Sequence, residues 1–399
     1  MTNLLVRIFV KDYDKTGKPA VRGRYGLLAG FVGLACNVLL FSLKFLVGMV
    51  FGSIAIVADA VNNLSDAGSC IVTLIGFKMS GKPADEEHPY GHARVEYIAG
   101  LVVSFSILLL GIQLIGSSVQ KIFKPEAVEF SWLSVAVLCM AILVKLWMGL
   151  FYRKVGKTID SMAILANSAD SMNDVYATSA VLVSALVGKV TGWQLDGYAG
   201  TLVAVFIIIS GIGLVRETLN PLLGTAPAQE LVNKIEDKLH GYEGVLGTHD
   251  LMVHNYGPQR CFASVHVEVC AKEDILKSHD MIDNIEKDFA EDLDIHLVIH
   301  LDPVVTDDEE TNHMRDVVQK ILQELDSRLS MHDFRMVKGN THSNLIFDVA
   351  VPPRYQMSDK ELREVIDTQV KADYPDYFTV ITVDRSYTST TGRADSDNS

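Results

Sequence analysis

Residues 97–116 read YIAGLVVSFSILLLGIQLIG, a run without a single charged side chain. About 20 such residues are what a helix needs to cross the hydrocarbon core of a bilayer. Five further stretches share the pattern, roughly 27–51, 54–78, 131–151, 161–188 and 196–215. Six spans predict an all-α membrane domain over residues 26–220, integral to the cell inner or plasma membrane.

The remainder of the 399 residues belongs to a different solvent. Residues 226–399 carry 34 Asp/Glu and 17 Lys/Arg, a net charge of −17, whereas residues 1–225 carry 15 and 18, a net +3. A content of 49% hydrophobic and 21% charged residues excludes a disordered or collagen-like chain. The cysteines, Cys36, Cys70, Cys139, Cys261 and Cys270, form no C-x-x-C pair, so neither a disulfide framework nor a cysteine metal site is expected. Residues 1–25 are polar and basic and resemble no cleavable signal; they are read as a cytoplasmic segment.

Short-loop basic residues orient the spans. Arg7, Lys11, Lys15, Lys18, Arg22 and Arg24 precede the first span, Lys82 and Arg94 follow the second, and Arg153, Lys154 and Lys157 follow the fourth. The opposite loops hold only Lys121, Lys124 and Lys189, which predicts both termini in the cytoplasm.

Past Pro221 the hydrophobic period changes. A helix at 228–240, strands at 247–254 and 261–269, a helix at 276–290 and a strand at 295–301 give the order α-β-β-α-β, an α+β ferredoxin-like domain over 221–304. Residues 309–328, 332–338, 343–351, 358–372 and 378–384 repeat that order, and Thr248-His249-Asp250-Leu251 recurs as Met331-His332-Asp333-Phe334. A second, duplicated αββαβ domain is therefore expected over 305–386, followed by a disordered tail at 387–399.

The polar exceptions inside the spans carry the chemistry. In the second span Asn62 and Asp66 stand four apart on one helix face, and in the fifth Asp170 and Asp174 do the same. Face to face, they would offer four oxygen ligands to one divalent cation. Polar residues satisfying one another between helices is the competing reading. It does not account for three like charges, each costing roughly 2.5–3.5 kcal/mol at the bilayer centre, so a cation or a proton must offset them. A second cluster, Asp85, His88 and His92, lies in the loop after the second span and either converges on a metal or forms a solvated turn. The third comprises His249, His266, His279, His300 and Asp302; strand alternation puts His300 and Asp302 on one face. In the repeat, Asp348 falls where His266 would and Thr382 where His300 would, so a site there is expected to be degenerate.

Six spans, the paired polar motifs, the Asp-x-x-His-x-x-x-His loop and a cytoplasmic domain ending His300-Leu301-Asp302-Pro303 together resemble the cation diffusion facilitator family of divalent-metal/proton antiporters. The resemblance covers about residues 25–304. It implies that Asn62, Asp66, Asp170 and Asp174 form the transport site, that Asp85, His88 and His92 form a loop site, and that His249, His266, His279, His300 and Asp302 form a binuclear site at a homodimer contact. The Asn-Asp/Asp-Asp set is similar to the bacterial manganese-exporting branch; zinc-transporting members place a His where Asp170 stands. An all-oxygen set suits a hard ion such as Mn²⁺, with Zn²⁺, Fe²⁺ or Co²⁺ as alternative cargo. Arg94 departs from the family's lysine at that position, and Leu223-Gly224-Thr225 lacks the acid that such a lysine meets.

Three crowded carboxylates cannot all stay ionised when empty, so the expected mechanism exchanges metal for protons. No prosthetic group and no nucleic-acid partner are expected. Neither H-E-x-x-H, a G-x-S-x-G elbow nor a Walker loop occurs, which leaves an enzyme without a nucleophile or nucleotide site. A membrane metal sensor that binds without transporting is the alternative of a different class.

Overall fold

A short helix, α1 (Thr2–Phe9), and six long ones make the N-terminal half: α2 (Pro19–Phe51), α3 (Ile54–Ser80), α4 (Val95–Phe123), α5 (Trp132–Thr158), α6 (Met162–Thr191) and α7 (Asp196–Leu223). In this computed structural model the described residues are 2–51, 54–124, 132–191, 193, 195–258, 260–339, 341–352 and 355–385, and the tail expected at 387–399 lies outside them. Two compact units result, one formed by residues 1–225 with 256–259 and the other by the rest.

Among the described residues, α2, α4, α5, α6 and α7 are long and apolar enough to cross a membrane. The helix α3 is equally long, at 27 residues, and carries Asp59, Asn62, Asn63 and Asp66. It packs along α2, while α4 pairs with α7 and α5 with α6. Lipid is the natural solvent for the outward faces, where Leu39, Leu46, Leu109, Leu143, Leu202 and Ile209 are exposed. The close approach of α2 to its neighbours depends on Gly33: a Cβ there would fall 1.5 Å from Tyr152 Oη and 2.9 Å from Cys70 Sγ. The segment before the first long helix is more structured than its composition suggests, because Val6 of α1 and Val10 just after it join a buried cluster with Val21, Tyr25 and Phe151.

One end of the bundle is tied by a buried ion pair. Arg22 of α2 makes a two-pronged contact with Glu96 at the start of α4, and Arg22 Nε donates to Ile159 O at 2.9 Å. Ser161 Oγ, in the α5–α6 turn, donates to Glu96 Oε1 at 2.6 Å. Both charged groups are thereby desolvated with partners rather than alone.

The second unit contains α8 (Gln229–His240), β1 (Gly247–Asn255), β2 (Cys261–Cys270), α9 (Ile275–Leu293) and β3 (Ile295–Val304), then α10 (Glu309–Leu325), β4 (Ser330–Lys338), β5 (Ser343–Ala350), α11 (Asp359–Asp373) and β6 (Tyr377–Asp384). Each half forms a three-stranded sheet, ordered β1-β2-β3 and β4-β5-β6, with the first pair antiparallel and the second parallel. Alternation sets the faces: Ala263, Val265, Val267 and Val269 of β2 are buried with α8 and α9 residues, leaving His266 on the other face. The two sheets share an irregularity, a register shift after His249 matched by one after His332, each followed by an Asp in left-handed conformation, Asp250 (φ 53°) and Asp333 (φ 54°).

Candidate metal centres

Helical spacing alone places Asp170 and Asp174 on one stripe of α6 and Asn62 and Asp66 on one stripe of α3. The structure brings the carboxylates of Asp66, Asp170 and Asp174 together, one oxygen of each lying within 4.8 Å of the others. Asp66 and Asp170 are buried. Asn62 lines a cavity of about 340 Å³ together with Asp170, Asn173 and Asp174. An adjoining cavity of about 350 Å³ shares Asn62 and Asp174 and extends past Asp59 to Lys121 and Asp196, which pair at 2.5 Å at the end of the bundle away from Arg22.

A residue that the sequence analysis did not single out sits among these acids. Lys145 of α5, with a side chain only 4% exposed, places Nζ 2.7 Å from Asp66 Oδ2 and 2.5 Å from Asp174 Oδ2. Two turns nearer the α2–α3 connection, the buried Lys44 ammonium lies 2.8 Å from Asp59 Oδ2. Asp66 and Asp174 thus contact a tethered cation of the protein's own. A lysine in the middle of an otherwise apolar span was the available signal, since an unpaired ammonium there is too costly to persist. Two neighbours steady the helices: Asn167 Nδ2 donates to Thr73 Oγ1 at 2.7 Å and Ser168 Oγ to Gly149 O at 2.8 Å.

In the α3–α4 loop, Asp85, His88 and His92 converge. Asp85 accepts from the His88 backbone N–H at 2.7 Å, while its carboxylate oxygens lie 3.3 Å from His88 Nδ1 and 3.4 Å from His92 Nε2. That backbone donor, helped by the two imidazoles, holds the Asp85 carboxyl below the usual carboxylate range. His92 Nδ1 lies 3.1 Å from Pro83 O, which orients the ring.

In the second unit, His249, His266 and Asp302 gather. Asp302 Oδ2 lies 2.8 Å from His266 Nδ1 and 3.1 Å from His249 Nε2. His300, 66% exposed, stands 3.3 Å from Asp302 Oδ1 and 4.5 Å, ring to ring, from His266. His279 is exposed on α9 and belongs to none of the gathered groups among the described residues. The second half holds its own group, His332, Asp348 and Asp384, and a third group, His249, Asp250 and His332, joins the halves. Substitution of Asp348 for the histidine position therefore changed the donor type and left a cluster in place.

Comparison with known proteins adds an independent line. The family model described as the cation efflux transmembrane domain matches residues 30–223, and that of the cation efflux protein cytoplasmic domain matches residues 227–304. An uncharacterized transporter of Methanocaldococcus jannaschii is 30% identical over 255 residues, 64% of this chain and 89% of that protein. The manganese efflux system protein MneS of Bacillus subtilis is 26% identical over 296 residues, 74% of this chain and 99% of its own length. The cation-efflux pump FieF of Klebsiella pneumoniae is 28% identical over 284 residues, 70% and 94%. Residues 305–385 lie beyond both family matches.

Proposed function

Since this chain belongs to the cation efflux, or cation diffusion facilitator, family of integral membrane transporters of divalent metal ions, we propose that it is a homodimeric Mn²⁺/H⁺ antiporter that exports the metal from the cytoplasm. Asn62, Asp66, Asp170 and Asp174 hold the transported ion; Asp85, His88 and His92 form an accessory loop site; His249, His266, His300 and Asp302 form a cytoplasmic site. The observation that carries this reading is the convergence of three carboxylates, with an amide on the same cavity and no imidazole or thiol among them, on one point between α3 and α6. Hard oxygen donors favour Mn²⁺, and the manganese efflux relative agrees in cargo.

Charge counting supplies the cycle. Three ionised carboxylates and Lys145 sum to −2, which one divalent ion neutralises. Without metal, two protons on the carboxylates take over that neutralising role beside the ammonium of Lys145, so arrival of the ion expels them and moves the ammonium aside. Release at the far side runs the exchange in reverse. The cavity leading to Lys121 and Asp196 is the outward path, opposite the basic loops that mark the cytoplasmic end. The net negative charge of the second unit raises the local concentration of cations by electrostatic attraction.

The test is proton-coupled flux in proteoliposomes across Mn²⁺, Zn²⁺, Fe²⁺ and Co²⁺ at controlled pH. The reading requires Mn²⁺ to move fastest and counter to protons. Flux that favours Zn²⁺, or metal binding without flux, discards the cargo or the transporter assignment respectively.

A further inference from the structure

Residues 305–385 carry no role in transport as described, yet some of their side chains meet those of the first αββαβ repeat in a cluster of metal-ligating groups. The His249 and His332 rings stack at 4.3 Å between centroids with planes 24° apart. Their side chains are only 8% and 10% exposed. Among the described residues neither ring nitrogen of His249 nor Nδ1 of His332 makes a hydrogen bond, although His249 Nε2 lies 3.1 Å from Asp302 Oδ2. Buried imidazole nitrogens are normally paired, and their lone pairs are ready metal donors. Around them stand four carboxylates. Asp302 belongs to the first cluster, Asp250 lies with His249 and His332, and Asp348 and Asp384 lie with His332, each group having its donor atoms within 4.8 Å of one another. His332 Nε2 is 3.6 Å from Asp384 Oδ2, and His249 Nδ1 is 3.5 Å from Asp250 Oδ2.

The strand register explains why the donors face one another. His249 opposes His266 across β1 and β2, and His332 opposes Asp348 across β4 and β5; Asp302 and Asp384 occupy equivalent places on β3 and β6. The matching irregularities after His249 and His332 turn Asp250 and Asp333 into left-handed geometry at the same point of each sheet.

We propose that the two repeats form a metal-bridged joint: His332, Asp348 and Asp384, reaching Asp250 and His249 of the first repeat, bind a divalent transition-metal cation of their own beside the one held by His249, His266 and Asp302. The donors of the second site are richer in oxygen, so it accepts harder ions than its neighbour. The repeat that lies outside the family match thereby makes contact between the halves depend on metal.

The full-length protein in detergent, loaded with Mn²⁺ or Zn²⁺ and freed of excess, tests this by elemental analysis. The variant carrying Asp348→Asn and Asp384→Asn should lose about one metal per chain relative to wild type, with unchanged far-ultraviolet circular dichroism. The single variant Asp348→His keeps a donor, and it should retain the metal while raising the preference for Zn²⁺ over Mn²⁺ at least about tenfold. If the double variant fails to fold, the Asp348→His selectivity decides alone. Unchanged metal content in a folded double variant, or an unchanged Zn²⁺/Mn²⁺ preference in Asp348→His, overturns the proposal.

Discussion

Replacing Lys145 by methionine removes one charge from the centre of the membrane unit and nearly preserves volume. The ammonium touches Asp66 and Asp174 at 2.7 and 2.5 Å. A metal ligated by those same oxygens would lie roughly 4 Å from the present Nζ position, where a dication and a monocation repel by about 8 kcal/mol at an effective dielectric of ~20. The two cannot share the site, so metal entry displaces the ammonium. Without it, leaving the carboxylates ionised would cost about 3–5 kcal/mol, and the empty site escapes that cost by holding one more proton. Metal must then expel that proton as well. Affinity for Mn²⁺ in the Lys145→Met variant should acquire an additional tenfold dependence per pH unit, or about 100-fold between roughly pH 6 and pH 8, tightening as pH rises. Lys145→Arg retains the charge and should keep the wild-type slope. Calorimetric titration of the detergent-solubilised proteins at several pH values measures both. A Lys145→Met protein with the slope and affinity of wild type would refute the account of a tethered counter-ion.

Asp66→Ala or Asp174→Ala should reduce Mn²⁺ flux in proteoliposomes to background, and retained transport would remove the ion from this site. Asp170→His introduces an imidazole among oxygen donors and should widen acceptance toward Zn²⁺ in a competition flux assay. Glu96→Gln leaves the buried Arg22 guanidinium without its counter-charge and should destabilise the protein by about 3–5 kcal/mol, read as a lowered melting temperature or denaturant midpoint. Gly33→Ala forces a methyl group into Tyr152, and a loss of about 1–3 kcal/mol is expected by the same measurements.

Legibility in the sequence followed the range of the interactions involved. The pairs Asn62/Asp66 and Asp170/Asp174 could be placed on single helix faces because helical geometry fixes four-residue spacing whatever the tertiary context. Likewise Asp85, His88 and His92 fall within one loop, and the alternation of Val265, His266 and Val267 separates core from open face. Lys145 was opaque for the opposite reason. An isolated lysine in a span names no partner, and its carboxylates come from two other helices. His332 was visible as the echo of His249 in a repeated tetrapeptide, but stacking of one on the other is a property of how two sheets meet. His279 shows the converse limit: grouped with the other histidines by composition, it lies exposed on α9 and outside their cluster.

The tie between Arg22, Glu96 and the α5–α6 turn bears on how the membrane unit can move. Prising α2 from α4 at that end would strand a guanidinium or a carboxylate in a dry interior, a penalty larger than most helix-packing changes. At the opposite end the described ion pair, Lys121 with Asp196, has a half-exposed lysine open to screening. Shape change is thus cheapest when these six rods behave like tongs, with their grip fixed at Glu96 and their jaws parting at the far rim.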